Sequence, residues 1–154
     1  MNRNTTKRGS EALLGAAVIV FLGTPMFAQD FSPVGRWQTI SDKTGKATSI
    51  VEISLKNGEL FGVVSELLGE RKNPDPICKK CEGEKKDQPI KGLNILWGLK
   101  QDEDEWQGGY ILDPDNGTAY RCIITLSEDG QQLHVRGYIG FSLFGRTQTW
   151  VRAD

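Results

Sequence analysis

Beyond its N-terminal segment, the chain alternates short apolar runs with turn-forming residues and shows no sustained helical periodicity. The run SIVEISLK at 49–56 places its apolar side chains on one side and its polar side chains on the other, as a half-buried strand does. Asn57 and Gly58 follow, a pair that favours a tight hairpin turn, and 59–68 reads as the returning strand. The pattern therefore predicts antiparallel strands joined by hairpins.

The same pattern recurs along the rest of the chain. About eight strands are predicted in all, at 35–40, 49–56, 59–68, 93–99, 106–112, 118–126, 132–140 and 145–152. Because no crossover helices fit between them, we predict an all-β fold, an up-and-down antiparallel barrel that leaves no open edge. A two-sheet sandwich is the alternative. Eight strands enclose an interior that side chains nearly fill or that holds one small ligand.

The N-terminal segment has a basic head, an apolar run at 12–22 and a small residue at Ala28. These are the parts of a secretory signal peptide, and the run is too short to span a bilayer as a helix. We therefore expect residues 1–28 to be removed, leaving 29–154 as a single barrel domain with no transmembrane segment. The expected location is the periplasm or the exterior of a cell with a Gram-negative-type envelope. An uncleaved anchor is the rival interpretation.

The predicted mature chain is mildly acidic. Removing the three basic residues and the one acidic residue of 1–28 leaves 16 basic and 19 acidic side chains, a net charge of about −3. That surface offers neither a broad positive field for nucleic acid nor a polybasic patch for a membrane. We expect no nucleic-acid partner, and the sequence predicts no oligomeric state.

Cys78 and Cys81 lie in the long polar segment 69–89. Export would place them in an oxidising compartment, so we predict a disulfide between them that pins this segment. Cys122 lies within a predicted strand and is then left as a buried free thiol. Two alternatives are a bond from Cys122 to one of the other two cysteines, and a zinc site built from all three cysteines and His134.

Catalytic motifs find little support. Gly140 and Ser142 begin a G-x-S pattern, but Phe144 stands where the nucleophile motif needs its second glycine. The single histidine, His134, restricts acid–base schemes to itself or to carboxylates, and it reads more simply as a solvated strand position. The acidic run 102–105 reads as a solvated turn rather than a calcium loop. We therefore predict no catalytic residue, no metal site and no cofactor, and we expect that the protein is not an enzyme.

The two ends of the predicted barrel share one feature. Gly35-x-Trp37 opens the first strand, and Trp150-x-Arg152 closes the last. This pairing resembles the lipocalin and calycin barrels, in which a tryptophan at the base packs under an arginine from the final strand. A guanidinium stacks well on an indole face. The resemblance implies a structural role for Trp37, packed against Arg152 or Arg146.

A second resemblance covers roughly 32–152. The segments that carry it are, in order, GRWQT, KTGKA, NGELFG, CKKCEGE, GLNIL, GGYILDPDNGTAYRC, LHVRGYIG and FGRTQTWVR. Together they are similar to the domain of unknown function 2147 family of secreted bacterial proteins, and RGYIG followed by GRTQTW is the most distinctive part. The resemblance implies a lipocalin-like barrel and assigns no activity.

Aromatic and cationic residues alternate along the last three strands and predict a pocket if their faces point inward. The predicted ligand-binding residues are Trp37, Tyr120, Arg136, Tyr138 and Trp150. Such a pocket suits a small hydrophobic or amphipathic ligand, with an arginine orienting an acidic head group. The leading hypothesis is an exported lipocalin-like protein that binds this ligand in the barrel. The alternatives are a ligand-free structural or protein-interaction module of the cell envelope and, third, a cofactor-free enzyme.

Overall fold

The computed structural model describes Met1, residues 32–70 and residues 72–153. The predicted cleavage site, and the predicted signal peptide apart from Met1, lie outside these residues. The described strands are β1 (Gly35–Ile40), β2 (Ala47–Lys56), β3 (Glu59–Leu67), β4 (Asn94–Asp102), β5 (Glu105–Asp113), β6 (Thr118–Leu126), β7 (Gln132–Tyr138) and β8 (Arg146–Arg152). Two short 3₁₀ helices span Gly83–Lys85 and Ser142–Phe144.

Every strand pairs antiparallel with its neighbours in sequence, and β1 pairs with β8 to close the barrel. The predicted up-and-down barrel is confirmed, and the sandwich alternative is wrong because the sheet closes on itself. The predicted strand ends differ from the observed ones by a few residues, most at β4, which continues to Asp102. It does so because the turn that follows needs only Glu103 and Asp104, with Glu103 in the left-handed region at φ 52°.

The connections fall at two ends of the barrel. One end, which we call the tryptophan end because Trp37 lies there, carries three short turns, at 57–58, 103–104 and 127–131, together with 32–34. At 57–58, Asn57 and Gly58 both have positive φ, 52° and 79°, which is the backbone of the predicted hairpin turn. The opposite end, which we call the loop end, carries the other connections, at 41–46, 68–93, 114–117 and 139–145.

Apolar side chains pack most of the interior of the barrel. The inward residues exposed by 1% or less are Trp37, Val51, Ile53, Leu60, Leu96, Leu99, Cys122, Ile124, Leu133 and Trp150. These values indicate dense packing from the tryptophan end to the middle of the barrel, whereas the inward residues Ile111, Tyr120 and Gln148, nearer the loop end, are half-buried. Two hollows, of about 200 and 460 Å³, lie outside the barrel, beside Pro74–Pro76 and at the acidic turn 102–105.

The connection 68–93 adds a second, smaller apolar layer outside β4 and β5. Ile95 and Leu112 face away from the interior, next to the inward pair Leu96 and Ile111, and yet are exposed by only 6% and 4%. The covering layer approaches so closely that a Cβ on Gly117 would lie 2.0 Å from the Lys80 carbonyl oxygen. The long connection is therefore packed against the sheet.

Candidate functional site

The five predicted ligand-binding residues lie on two faces of the barrel. Trp37 and Trp150 point inward and are exposed by 0% and 1%. Tyr120 is also on the inner face, near the loop end, where it is half-buried and its hydroxyl accepts a hydrogen bond from the Asn116 amide at 2.9 Å. Arg136 and Tyr138 lie on the outer face. The five side chains therefore do not line one pocket in this structure.

The alternation of β7 explains the position of Arg136. Leu133 and Val135 face the interior and are exposed by 0% and 2%. Because side chains alternate along a strand, His134 and Arg136 face outward. His134 shares that outer face, with its Nδ1 3.2 Å from the Thr149 hydroxyl. An inward arginine at this position would place a charge among apolar side chains. An unpaired buried charge is strongly destabilising.

Trp37 closes the tryptophan end of the barrel together with Arg152. The guanidinium carbon of Arg152 lies 4.2 Å from the centre of the Trp37 ring. Its Nε donates to the Gly130 carbonyl oxygen at 2.7 Å, and its Nη2 donates to the Ser32 carbonyl oxygen at 3.0 Å. The Trp37 indole N–H donates to the Pro33 carbonyl oxygen at 2.8 Å. This geometry joins the first strand, the last strand and a turn.

Arg146, the other arginine considered for that role, lies at the loop end. Its Nε donates to Asp42 Oδ2 at 2.6 Å, and its side chain is 64% exposed. The Arg146–Asp42 ion pair therefore holds the connection 41–46 next to the connection 139–145. An exposed ion pair of this kind stabilises a fold by at most about 1 kcal/mol.

The connection 139–145 carries the largest exposed apolar feature of the described residues. Its four large side chains, Ile139, Phe141, Leu143 and Phe144, are exposed by 66%, 78%, 81% and 78%. We call residues 139–144 the apolar loop. Sequence reasoning considered Gly140, Ser142 and Phe144 for a nucleophile motif and did not predict an exposed apolar loop. The sequence does contain a run of bulky apolar residues where a barrel needs a turn, but hydrophobicity alone does not show whether such a run is exposed.

The Arg136 side chain holds the apolar loop in place. Its Nε donates to the Ser142 carbonyl oxygen at 2.9 Å and its Nη2 to the Leu143 carbonyl oxygen at 3.2 Å. Its Nη1 donates to the Thr147 hydroxyl at 2.9 Å. Since these bonds fix the backbone, the loop's apolar side chains are presented to solvent by an ordered segment.

The cysteines divide between two layers. Cys78 and Cys81 form the predicted disulfide, which is confirmed, and both are buried within the connection 68–93, where it packs against the barrel. Cys122 is a free thiol in the interior, where burial raises its pKa to about 12. His134 is on the outer face, so the four residues of the zinc alternative are not brought together. Within 32–70 and 72–153, no three or more His, Cys, Asp or Glu side chains are grouped to hold a metal.

A row of cations and aromatic rings crosses the outside of the sheet from β4 to β6. The Lys85 ammonium lies 3.7 Å from the centre of the Trp97 ring and donates to the Asn94 carbonyl oxygen at 2.6 Å. Trp97 stacks on Tyr110 at 5.9 Å, and Arg121 lies 5.7 Å from the Tyr110 ring. Partial burial lowers the pKa of Lys85. The row anchors the long connection to the barrel.

Charge is distributed unevenly between the two ends. The turns of the tryptophan end carry Glu103, Asp104, Glu128 and Asp129 and contain no basic residue. The connections of the loop end are mixed, with eight lysines interspersed among carboxylates in 41–46 and 68–93. Within the described part of the chain, no helix is long and apolar enough to cross a membrane.

The closed eight-stranded barrel, with a tryptophan beneath an arginine of its last strand, defines a lipocalin-like protein. The solved structure of protein HP1028 from Helicobacter pylori, described as belonging to the lipocalin family, is similar to it with a TM-score of 0.67. The two share 22% sequence identity, over 79% of this chain and 82% of that one. The chain belongs to the DUF2147 family, described as "Uncharacterized protein conserved in bacteria", whose model matches residues 35–152. No curated protein matches the chain.

Proposed function

We propose that the protein is a non-catalytic binding protein of the bacterial cell envelope, which engages its partner at the loop end of the barrel. The observation that carries this proposal is the apolar loop, whose large side chains stand in solvent on a backbone fixed by Arg136. Contiguous exposed apolar patches mark interaction sites. The packed apolar interior supports the same function, because the burial of its side chains leaves the outer surfaces as the more accessible faces for a partner.

Site-specific photo-crosslinking in the native host tests this function. A photoreactive amino acid at Phe141 is compared with one at Leu55, which is 50% exposed and lies at the tryptophan end. We expect a discrete adduct, to protein or to lipid, from position 141 and none from position 55. Equal adduct patterns from both positions would contradict the proposal, because they would indicate random encounters.

Binding of a small amphipathic ligand within the barrel is a second candidate, favoured by the surroundings of Gly137. A Cβ built there would lie 3.4 Å from the Tyr120 Cβ and 3.5 Å from the Ile111 Cγ2, which is ordinary contact. Tyr120 is half-buried at the loop end, so its movement would open the interior beside Gly137.

Titration with fatty acids, followed by tryptophan fluorescence and calorimetry, tests the second candidate. Saturable binding that strengthens in Tyr120→Ala and is lost in Gly137→Leu would support a ligand beside Gly137. Absence of binding across a broad panel of amphiphiles, in both the natural protein and Tyr120→Ala, would leave the loop end as the binding surface.

The envelope location is part of the proposal and rests on the sequence of residues 1–28, with its basic head and apolar run. We expect the protein isolated from host envelopes to begin near Gln29. N-terminal sequencing checks this, and recovery of Met1 or Asn2 on envelope-associated protein would contradict cleavage.

A further inference from the structure

We infer that the apolar loop docks the barrel on an anionic lipid bilayer, with the tryptophan end pointing away from the membrane. This inference rests on the proposed function, since it names the partner of the same loop. Three properties of the loop end carry it: the shape of the patch, its lack of charge, and the polarity of the barrel around it.

The shape of the patch suits a fluid partner. Phe141, Leu143 and Phe144 are each exposed by 78% or more, so they stand out individually rather than lining a groove. A bilayer accepts separate protruding apolar side chains in its headgroup and acyl boundary, with phenylalanine and leucine among the residues that insert. A protein partner would need a matching pocket for each of them.

The patch is too small for a stable contact with a second copy of the chain. Its four large side chains expose on the order of 500 Å², since an aromatic side chain buries roughly 150–250 Å². A stable protein interface usually buries about 800 Å² on each partner. A membrane anchor needs less area because lipid covers all sides of each inserted side chain and the headgroups add attraction to nearby cations.

No charged residue lies within 139–145, so insertion of the apolar loop desolvates no charged side chain belonging to it. The cation closest in sequence, Arg146, is exposed beside the loop and holds the connection 41–46 there through Asp42. That connection brings Lys43 and Lys46, both exposed, to the same end of the barrel. These cations would lie at headgroup depth when the loop inserts.

The opposite end of the barrel reinforces this orientation. Its turns carry only carboxylates, at Glu103, Asp104, Glu128 and Asp129. The turns of the tryptophan end contain no cation, whereas the loop-end connections mix eight lysines with seven carboxylates, so an anionic surface favours approach by the loop end. The effect is screened within about 10 Å at moderate salt, which makes the association sensitive to ionic strength.

Vesicle flotation with the protein isolated from its host tests the inference. The probes are vesicles of phosphatidylcholine alone and vesicles that also contain phosphatidylglycerol. We expect flotation with the anionic vesicles, weakened by high salt, and little with the neutral ones. The triple variant Phe141→Ser/Leu143→Ser/Phe144→Ser should bind about tenfold or more weakly, because each serine removes an inserted side chain.

Two matched controls separate apolar from electrostatic contributions. Leu55→Ser/Val151→Ser also removes exposed apolar side chains, but not from the loop, and should float like the natural protein. Lys43→Gln/Lys46→Gln should weaken flotation with anionic vesicles, whereas Lys56→Gln, at the tryptophan end, should not. Brominated lipid should quench tryptophan fluorescence more in Phe144→Trp than in the natural protein, and Leu55→Trp should show no such increase.

The outcomes distinguish this inference from the function on which it rests. Failure of the natural protein to float with either vesicle, or equal flotation of the triple variant, overturns the membrane inference. If crosslinking from position 141 nevertheless yields a single protein adduct, the loop is a binding surface with a protein partner. If position 141 yields only adducts between copies of this chain and the triple variant abolishes self-association, the occupant is a second copy. Absence of both flotation and adducts overturns the proposed function as well.

Discussion

The Arg152 guanidinium lies 4.2 Å above the Trp37 ring, and the two residues stand directly opposite each other in the β1–β8 register. The arginine reaches the rim of the barrel by the last strand and bonds the Gly130 and Ser32 carbonyl oxygens. A single stacked pair therefore joins the strand that begins the barrel, the strand that ends it and the β6–β7 turn.

Replacing Trp37 should remove this closure. The ring is fully buried, so Trp37→Ala should lower the free energy of unfolding by roughly 3–5 kcal/mol through lost contacts and the cavity that remains. Urea unfolding followed by circular dichroism measures the change. Arg146→Ala is the control, because its exposed ion pair contributes only about 0–1 kcal/mol. Equal effects of the two substitutions would contradict the assigned roles.

Dense packing of the interior can be measured at an inward glycine. A Cβ at Gly62 would lie 2.9 Å from the Leu96 Cβ and 3.2 Å from the Val51 Cγ1. Gly62→Ala should therefore destabilise the protein by about 1–3 kcal/mol through overpacking. Gly137→Ala should cost clearly less, because its Cβ finds ordinary contact distances. A fully tolerated Gly62→Ala would show that the interior has space, and would favour the ligand-binding candidate.

The fold could be predicted from the sequence because its signals are local. Turn pairs such as Asn57-Gly58 fix hairpins, and alternation between them fixes strands. The resemblance of Trp37 and Arg152 to the calycin pattern added the closure. Which side chains of each strand face inward could not be predicted in this way. A ligand cavity would be lined by Arg136 and Tyr138, whereas a packed interior requires Leu133 and Val135. Only the packing of all eight strands decides between these two interiors.

The apolar loop could not be predicted for a related physical reason. A run such as IGFSLF can cover a barrel end or stand in solvent, and hydrophobicity alone does not distinguish the two. The difference is made by Arg136, which uses its guanidinium on the Ser142 and Leu143 carbonyl oxygens. A contact between a strand side chain and the backbone of a connection leaves no periodic signal in sequence.

Reduction of the Cys78–Cys81 disulfide should loosen the outer layer and leave the barrel closed. So small a ring stabilises by roughly 2 kcal/mol in the chain-entropy estimate, and the pair lies in the connection 68–93, with Cys78 Sγ 3.5 Å from the Pro114 carbonyl oxygen, rather than inside the barrel. Cys78→Ser/Cys81→Ser should give faster amide exchange across 72–92 with unchanged exchange in β6 and β7. Loss of protection throughout the barrel would contradict this division into two layers.

Cys122 should lower the free energy of unfolding as the pH rises above the ordinary pKa of a thiol. Burial raises its pKa from an ordinary 9.0 to about 12, so the folded thiol stays protonated where the unfolded thiol ionises. The stabilisation is present below pH 9 and is lost as pH rises towards 12, at up to about 1.4 kcal/mol per pH unit. Urea unfolding at increasing pH, compared with Cys122→Ala, isolates this contribution. A native thiol that reacts rapidly with iodoacetamide at pH 8 would contradict the burial.

We expect Arg136 to keep the backbone of the apolar loop ordered, and we expect its removal to leave the barrel folded. The Phe144 amide donates to the Phe141 carbonyl oxygen at 3.1 Å, and the Gly145 amide donates to the Ser142 carbonyl oxygen at 3.2 Å, so both amides report on the loop. Arg136→Ala removes the guanidinium bonds to the loop carbonyls and should accelerate exchange at these amides by about tenfold or more.

Arg146→Ala provides the matched control for that measurement. It removes the same charge from a neighbouring position, but its side chain bonds Asp42 rather than the loop backbone. Exchange at Phe144 and Gly145 should therefore stay near the natural value. Arg136→Lys should give an intermediate result, since an ammonium cannot reach two carbonyl oxygens and a hydroxyl in one planar array. If Arg136→Ala exchanged no faster than Arg146→Ala, the loop would be ordered by its own turn, and its exposed side chains would not depend on the arginine.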